Sequence, residues 1–430
     1  MQSEVRPLRD LCSLIADCPH STPVWTDSGY LVIRNQNIKG GRLDLSSPSF
    51  TDAEHFAHRI RRAKPREGDI VFTREAPMGE VCMIPKGLEC CVGQRQVLLR
   101  PDPDVVDGRY LLYALQSPQV QHEIGWNEGT GSTVSNVRIP VLESLKIPTP
   151  SIAVQRDIGS VLSALDDRID LLRQTNATLE SIAQTLFKSW FIHFDPVRAK
   201  AEGREPEGMD ADTAALFPDS FEDSALGEIP TGWRVGTLGE IASNPRSQAK
   251  PGQMASSTPY IGLEHMPRKS ISLDRLGTAE GLESGKFWFE QYDVLFGKLR
   301  PYFHKVGLAP CRGVCSTDIL VIRPKKPHWL GYVLMHASSD ELIAHTTLLS
   351  NGARMPRTSW NDIDAYKVVL PDERSATAFN EVAHRFFERI FSNMAEMTTL
   401  SKLRDTLLPR LISGKLRLPE AEAQLNEAPA

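Results

Sequence analysis

The sequence predicts an α+β protein: two similar mixed α/β domains, with two long antiparallel helices that form a coiled-coil spacer and give the chain pseudo-two-fold symmetry. Three observations predict this fold. The chain contains an internal repeat, each copy begins with a region rich in Gly, Pro and β-forming residues, and each copy ends in a long heptad pattern. A length of 430 residues also exceeds that of one ordinary core.

The two copies of the repeat share several short tracts in the same order. EVRPLRDLCS at 4–13 corresponds to RVGTLGEIAS at 234–243, and GDIVFTREAPMGEV at 68–81 corresponds to YDVLFGKLRPYFHKV at 292–306. In each copy we predict strands and turns, then one short helix, a polar loop, a last strand and a long helix. The short helices are expected from Tyr110 to about Ile124 and from Trp329 to about His345.

Each long helix carries apolar positions separated alternately by four and three residues, which is typical of a helix packed along a partner helix. The seam positions are Ile158, Leu162, Leu165, Ile169, Leu172, Asn176, Leu179, Leu186 and Trp190, then Phe386, Ile390, Asn393, Met397, Leu400, Leu407 and Leu411. The two asparagines are of the kind that fixes helix register. Pairing of the two helices is the prediction, and the alternative is that each helix packs on its own domain.

The helix ends are indicated by residues that interrupt helical structure. Asp195-Pro196 is expected to end the first helix, because a residue before proline avoids the α region. Ser413-Gly414 is expected to end the second helix, and Pro409 predicts a kink in its last turns. A helix of about 40 residues would be about 60 Å long.

These features predict six segments. They are a first α/β domain at 1–150, a first spacer helix at 151–196, an acidic linker at 197–228, a second α/β domain at 229–373, a second spacer helix at 374–416 and a tail at 417–430.

The net charge of −5 is unevenly distributed. Residues 201–228 hold nine acids and one arginine, and 419–430 hold three glutamates and no base, so the rest of the chain is at +6. This surplus permits contact with phosphates. The seven scattered cysteines favour reduced thiols, and the lack of a long apolar stretch or an apolar N-terminal signal favours a cytoplasmic protein without membrane contact.

The chain resembles the specificity subunit of type I restriction–modification systems. The resemblance is carried by LGEIPTGWRVGTLGEIA at 226–242, by TLFKSWF at 185–191 and TLLPRLISGKL at 406–416, and by the GDIVFTREAPMGEV tract with its partner. The order and the duplication of these motifs are specific to that family's pattern.

The resemblance implies two target-recognition domains that read the halves of an asymmetric, bipartite site in double-stranded DNA. It also implies docking of two modification subunits, and of restriction subunits that cleave DNA. S-adenosylmethionine, ATP and Mg²⁺ are expected in those partners, with no cofactor, metal or catalytic residue in this chain.

Base reading needs polar side chains on rigid supports. The first copy offers Arg34, Asn35, Arg74, Gln94, Arg95, Ser132, Thr133 and Asn136, and the second offers His265, Lys298, Arg300, Arg354 and Arg357. The basic run RIRRAKPR predicts phosphate contact by Arg59, Arg61, Arg62 and Lys64. For each of these residues the alternative is a solvated or structural side chain.

Two other functional classes remain as alternatives at this point. One is a self-sufficient DNA methyltransferase or nuclease with a divergent catalytic site, which binding of S-adenosylmethionine to the isolated chain would indicate. The other is a helical scaffold that binds only proteins, which would show no salt-dependent affinity for DNA.

Overall fold

The structure, a computed structural model, describes residues 4–126, 136–352 and 354–420. The chain divides into two compact units. Unit 1 comprises Met1–Ile169 with Thr399–Ala430, and unit 2 comprises Asp170–Thr398. Each unit therefore contains one copy of the repeat together with parts of both long helices.

Unit 1 begins the chain and contains the first copy of the repeat. Its strands are β1 (Glu4–Pro7), β2 (Cys12–Asp17), β3 (Tyr30–Ile33), β4 (Ile38–Lys39), β5 (Arg42–Leu43), β6 (Phe50–Thr51), β7 (Ile70–Thr73), β8 (Val81–Met83), β9 (Cys90–Val92), β10 (Gln96–Pro101) and β11 (Lys146–Thr149). Its helices are α1 (Ala53–Arg59), α2 (Gly108–Gln116), α3 (Pro118–Trp126), α4 (Ile139–Ser144) and the beginning of α5 (Ile152–Phe191).

Unit 2 contains the second copy and the rest of both long helices. Its further helices are α6 (Asp195–Ala201), α7 (Ala211–Ala215), α8 (Leu238–Ile241), α9 (Leu330–Ala337), α10 (Asp340–Leu349), α11 (Trp360–Asp364) and most of α12 (Glu373–Ile412). Its strands are β12 (Phe221–Ser224), β13 (Gly227–Pro230), β14 (Arg234–Thr237), β15 (Ala242–Ser243), β16 (Gln248–Ala249), β17 (Pro259–Ile261), β18 (Gly277–Thr278), β19 (Lys286–Phe289), β20 (Val294–Gly297), β21 (Val306–Leu308), β22 (Gly313–Cys315), β23 (Ile319–Pro324) and β24 (Lys367–Leu370).

The two units share one sheet plan. A four-stranded antiparallel sheet runs β2-β10-β7-β8 in unit 1 and β15-β23-β20-β21 in unit 2. A second sheet pairs β3 with β9 in parallel, as β17 pairs with β22. The last strand of each copy pairs with the first, β11 with β1 and β24 with β14. The predicted α+β class with two similar mixed domains is confirmed.

In each unit a tyrosine at the equivalent position connects a helix to the last strand of the repeat copy by a hydrogen bond. Tyr110 on α2 is fully buried and donates a 2.7 Å hydrogen bond to the carbonyl oxygen of Pro148. Tyr332 on α9 is also fully buried and donates to the carbonyl of Val369. These contacts place the start of α5 and of α12 against their own domain cores.

The long helices run antiparallel within both units. In unit 1, Leu162 and Leu165 of α5 share a core cluster with Leu407 and Leu411 of α12. In unit 2, the Asn393 amide donates a 2.7 Å bond to the Asn176 carbonyl oxygen, and further along α5 the Phe187 ring lies 6.0 Å from that of Phe379. As the residue number increases along α5, the number of the contacting residue in α12 decreases. The helices are therefore antiparallel, as predicted.

The burial of the seam positions differs in places from the heptad pattern. The positions Ile158, Leu162, Leu165, Ile169, Leu172, Asn176, Trp190, Ile390, Asn393, Met397, Leu407 and Leu411 are buried, whereas Leu179, Leu186, Phe386 and Leu400 are half-buried. Next to two of these lie the more deeply buried Phe187 and Phe387. A helix with 3.6 residues per turn drifts away from a strict 3.5 repeat, which moves the contact to the next residue.

Several element boundaries also differ from expectation. The single short helix predicted in each copy is a pair, because Ser117 precedes Pro118 in extended conformation and Ser339 caps α10. The helix α5 ends at Phe191, and Pro196 lies in the first turn of α6 instead of only ending a helix. The helix α12 continues through Pro409 to Ile412.

The segment predicted as an acidic linker contains ordered structure. It holds most of α6, all of α7, strand β12 and the start of β13, with which β12 forms a hairpin. Phe217 is buried, with its ring 5.2 Å from that of Trp190, and Lys200 donates a 3.2 Å bond to the carbonyl of Ala214. The acidic charge of the segment predicted a linker, but charge alone does not reveal that apolar residues within it, such as Phe217, pack into the fold.

Candidate nucleic-acid interface

One open cleft in unit 1 gathers four of the predicted DNA-contacting residues. Arg34, Asn35, Gln94 and Arg95 line a concavity of about 430 Å³, together with Trp25 and others. The first two residues follow β3, and the other two lie in the turn between β9 and β10. The parallel pairing of β3 with β9 brings the two segments side by side.

The amides in this cleft are already engaged by the protein. The Asn35 side chain donates to the carbonyl of Glu75 and accepts a 3.1 Å bond from the buried Gln96. The Gln94 nitrogen donates to the His20 carbonyl at 2.6 Å and to the Thr22 hydroxyl at 2.9 Å. These bonds make the floor of the cleft rigid.

The two arginines of the cleft differ in their surroundings. Arg95 adopts a left-handed backbone with φ of 67°, and its Nε lies 3.1 Å from a carboxylate oxygen of Glu75. The Arg34 guanidinium lies over the Trp25 ring, 4.8 Å from its centroid. Trp25 was not predicted as a site residue; its exposed fraction of 44% is high for a tryptophan.

The surroundings of Arg74 do not fit the prediction that it reads a base. Its Nη1 lies 2.9 Å from an oxygen of Asp17, and its Nε donates a 2.9 Å bond to the Val137 carbonyl. Only 13% of the side chain is exposed. These contacts favour a structural role, in which Arg74 connects β2, the end of β7 and the segment before α4.

Of the four residues of the basic run that were predicted to contact phosphate, one is buried and three are exposed. Arg59 is buried and donates to the Ser21 carbonyl at 3.0 Å, so the prediction that it contacts phosphate is not supported by its position. Burial lowers the pKa of its guanidinium. Arg61, Arg62 and Lys64 are exposed, although Lys64 pairs with Glu89 at 2.6 Å.

The corresponding surface of unit 2 is built on the same backbone. The Lys298 N–H donates to the Asp318 carbonyl and the Thr358 N–H donates to Lys298, just as Arg74 bonds with Arg95 and Val137. Lys298 therefore occupies the position of Arg74, as the repeat predicts.

Other second-copy candidates have distinct surroundings. His265 accepts a 2.9 Å bond from the N–H of Gly262 and so closes a short turn, which is the role of Asn37 in unit 1. Arg300 is half-buried at a left-handed position, with its guanidinium 5.7 Å from the Phe303 ring centroid. His265 is thereby assigned to the fold of the turn, while Arg300 remains a candidate for base contact.

The polar loops are described in part. Ser132 and Thr133 lie outside the described residues, and Asn136 is half-buried. Arg354 is exposed, and the exposed Arg357 has its Nε 3.4 Å from Asp318. Their use in DNA contact stays a prediction.

Sequence reasoning missed two aromatic–arginine stacks. Beside Arg34 on Trp25, the exposed Arg268 of unit 2 lies 4.0 Å from the centroid of Phe303. An aromatic face holds a planar guanidinium while leaving its donor edges free. In the sequence, the available signal in unit 1 was a tryptophan placed among the turn-forming residues of STPVWTDSG.

The titratable groups give no sign of a reactive centre in the part of the chain that is described. No group of three or more His, Cys, Asp or Glu residues there could hold a metal ion. Burial raises the pKa of Cys12, Cys90 and Cys315 to about 12, so these thiols stay protonated. Burial lowers the pKa of His336 to about 3, and the imidazole lies among aromatic rings. None of the described helices has the length and apolarity needed to cross a bilayer.

The duplicated domains, the polar cleft of unit 1 and the paired helices fit a DNA-recognition protein. Residues 2–181 match the family described as the type I restriction modification DNA specificity domain. The MjaIX specificity subunit of Methanocaldococcus jannaschii is 25% identical over 366 residues, spanning 82% of this chain and 79% of that one. The HindI specificity subunit of Haemophilus influenzae is 24% identical over 403 residues, spanning 82% and 87%.

A solved structure shares the fold over nearly the whole length. The type I restriction–modification S subunit from M. genitalium has a TM-score of 0.51 and 17% sequence identity, and the match covers 95% of each chain. Over most of its length the chain is therefore similar to type I DNA specificity subunits. This similarity supports DNA target recognition within a restriction–modification system as the function of the chain.

Proposed function

We propose that each unit reads one part of an asymmetric, bipartite target in double-stranded DNA, and that the chain brings modification subunits to that target. The observation that carries the proposal is one backbone frame bearing different side chains in the two units. Identical domains would read identical half-sites, whereas diverged surfaces on a common frame read different ones.

The divergence falls at the candidate interface. Arg34 and Gly262 are both the first residue of a short turn after the parallel strand, yet only one of them has a side chain. Arg95 and Asp318 accept corresponding backbone bonds and carry opposite charges. Such differences support different base preferences in the two parts of the target.

Two modification subunits are the proposed partners, and restriction subunits would join the same assembly. S-adenosylmethionine, ATP and Mg²⁺ would be bound by those partners and not by this chain. The curated relatives are named specificity subunits, so we do not propose methyltransferase or nuclease activity for the chain alone. The surplus of +6 outside the two acidic segments supports contact with phosphates along the duplex.

The proposal is tested by assembling the chain with its modification subunits and methylating a random-sequence DNA library. We expect two short defined motifs separated by a fixed number of unspecified base pairs. Arg300→Asn, which keeps a residue that tolerates the left-handed backbone, should alter one motif and leave the other unchanged. A single contiguous motif, or methylation without sequence preference, would contradict the proposal.

A further inference from the structure

Among the described residues of the cleft, Arg34 is the arginine whose guanidinium has no carboxylate partner. Both amide hydrogens of Gln94 are used within the protein, the Asn35 amide is bonded on both sides, and Arg95 is paired with Glu75. Among the described residues, the polar contact of the Arg34 side chain is a 3.5 Å approach of Nη1 to the Ser49 hydroxyl. A contact this long and exposed leaves the guanidinium free to bond elsewhere.

Trp25 holds this guanidinium in place. Its backbone is fixed on both sides, because the Thr51 hydroxyl donates to the Val24 carbonyl at 2.8 Å and the Thr26 N–H donates to the Phe50 carbonyl at 3.1 Å. The exposed ring is therefore held by rigid neighbours. Stacking on the ring reduces the rotamer freedom that a long side chain would lose on binding.

The Arg34 backbone is fixed as well. Its N–H donates a 3.0 Å bond to the Asn37 side chain, and the preceding Ile33 accepts a 2.7 Å bond from Gly93. The cleft thus presents a planar set of donors, with no acceptor on the guanidinium, from a rigid support.

A planar pair of N–H donors matches the major-groove edge of guanine, which offers two acceptors, N7 and O6. Adenine and cytosine each place an amino donor on that edge, which a guanidinium cannot accept. We propose that Arg34, positioned by Trp25, reads a guanine in the part of the DNA target recognised by unit 1. This inference rests on the proposed function and adds the identity of one base.

The contact is confined to one part of the target. Unit 2 has Gly262 at the position of Arg34, so it offers no side chain there. Changes at Arg34 should therefore affect one base pair in one motif.

The test uses the full chain assembled with its modification subunits, and the readout is the methylation rate of each sequence in a random DNA library. For Arg34→Ala we expect the preference for guanine over other bases at one position to fall by about 10- to 100-fold. Arg34→Gln should shift the preference at that position toward adenine, because a side-chain amide matches the adenine edge. Trp25→Ala should weaken discrimination at the same position, and Trp25→Phe should largely retain it.

Arg61→Ala is the matched control, since Arg61 is an exposed arginine of the same unit that lies outside the cleft. It should lower methylation of all sequences alike if it contacts phosphate, or leave all rates unchanged, without altering base preference. A uniform loss for Arg34→Ala would make Arg34 a phosphate contact and overturn the inference. So would a unit 1 motif without a G·C pair, or an unchanged motif.

Discrimination that survives in Trp25→Ala but is lost in Arg34→Ala would overturn the positioning role of Trp25. Arg34→Lys guards against misfolding, because it keeps the charge but loses the planar fork. It should weaken guanine discrimination relative to the wild type while unfolding at the wild-type temperature. Discrimination equal to that of the wild type in Arg34→Lys would contradict reading by the planar guanidinium. Failure of the proposed function is distinguishable, because the wild-type complex would then show no bipartite motif at all.

Discussion

The same bidentate ion pair lies within the four-stranded sheet of each unit. Arg100 on β10 places Nε and Nη2 at 2.9 and 2.8 Å from the carboxylate of Asp69, and Arg323 on β23 makes the same contacts with Asp293 at 2.7 and 2.6 Å. Both aspartates are buried, and each also accepts a backbone N–H from three residues earlier. The pair is therefore a structural feature common to both copies of the repeat, held by two charge-assisted hydrogen bonds of fixed geometry.

Removing the buried carboxylate of Asp69 should destabilise unit 1 without changing the DNA sequence that the unit prefers. Asp69→Ala leaves the charge of Arg100 without its partner, so we expect a loss of about 2–4 kcal/mol in the free energy of unfolding. Denaturant unfolding, with hydrogen exchange to assign the loss to unit 1, measures the effect. Asp10→Ala is the control, since its pair with Arg9 is exposed at 3.6 Å and should change stability by less than about 1 kcal/mol. An equal effect for both variants would contradict this account.

At the residue scale, the sequence indicated which residue types could contact DNA but not which ones were free to do so. Arg74 and Arg59 look as suitable as Arg34 in the sequence. Their partners, Asp17 and Ser21, are 57 and 38 residues away along the chain. Only the folded domain brings them together, so a local pattern could not separate structural arginines from available ones.

At the element scale, the two long helices were predictable because their periodicity extends over 40 residues each. The heptad pattern identified the antiparallel partners and both seam asparagines. It missed Phe187 and Phe387, since drift between the 3.6 and 3.5 periods accumulates gradually. The end of α5 was also misplaced, because Pro196 is compatible with the first turn of a new helix.

The asparagine pair gives an element-scale prediction. Asn176 and Asn393 are buried and share one 2.7 Å bond, while Nδ2 of Asn176 and Oδ1 of Asn393 have no partner in the described structure. Asn393→Leu should cost about 1–3 kcal/mol, because Asn176 is then left unpaired in an apolar seam. The double variant Asn176→Leu/Asn393→Leu should be as stable as the wild type or more so.

A double-mutant cycle measured by denaturant unfolding checks this prediction. We expect a coupling free energy of about 0.5–3 kcal/mol between the two positions. The control pair is Leu172→Ala with Asn393→Ala, whose effects should be closer to additive if the coupling comes from the amide bond. Additive losses in the leucine cycle would show that the asparagines do not act as a pair.

At the scale of the whole molecule, the two units keep one sheet plan but attach to α5 through different chemistry. In unit 1, Asp166 of α5 accepts 2.7 Å bonds from Arg42, Tyr113 and Arg404. In unit 2, Glu180 of α5 accepts bonds from the Ser270 and Ser272 hydroxyls and from the N–H of Ile271. Two arginines and one tyrosine donate to Asp166, whereas the described donors to Glu180 are all neutral. This difference could not be predicted from the repeat, because it involves non-equivalent positions.

The two carboxylates should therefore respond to pH with opposite sign. Burial raises the pKa of Glu180 above its ordinary 4.5, more than its hydrogen bonds lower it. The folded state then holds a proton more tightly than the unfolded state, so stability falls as pH rises from 4.5 through the folded pKa. Burial alone would also raise the pKa of Asp166, but the bonds from Tyr113 and Arg404 and the arginine charges outweigh it and lower the pKa below 3.8. Its stabilisation is present above 3.8 and is lost as pH falls through the folded pKa.

The prediction is checked by measuring unfolding midpoints of Glu180→Gln and Asp166→Asn against the wild type over the acidic and neutral range. The Glu180→Gln variant should gain stability relative to the wild type as pH rises above 4.5, because it lacks the buried charge. The Asp166→Asn variant should be less stable at neutral pH and approach the wild type as pH falls below 3.8. Glu381→Gln, at an exposed position on α12, is the matched control and should give a difference that does not vary with pH. If Glu180→Gln instead lost stability progressively as pH rose, the carboxylate of Glu180 would be stabilised in the fold as Asp166 is, and the proposed difference between the two attachments would be wrong.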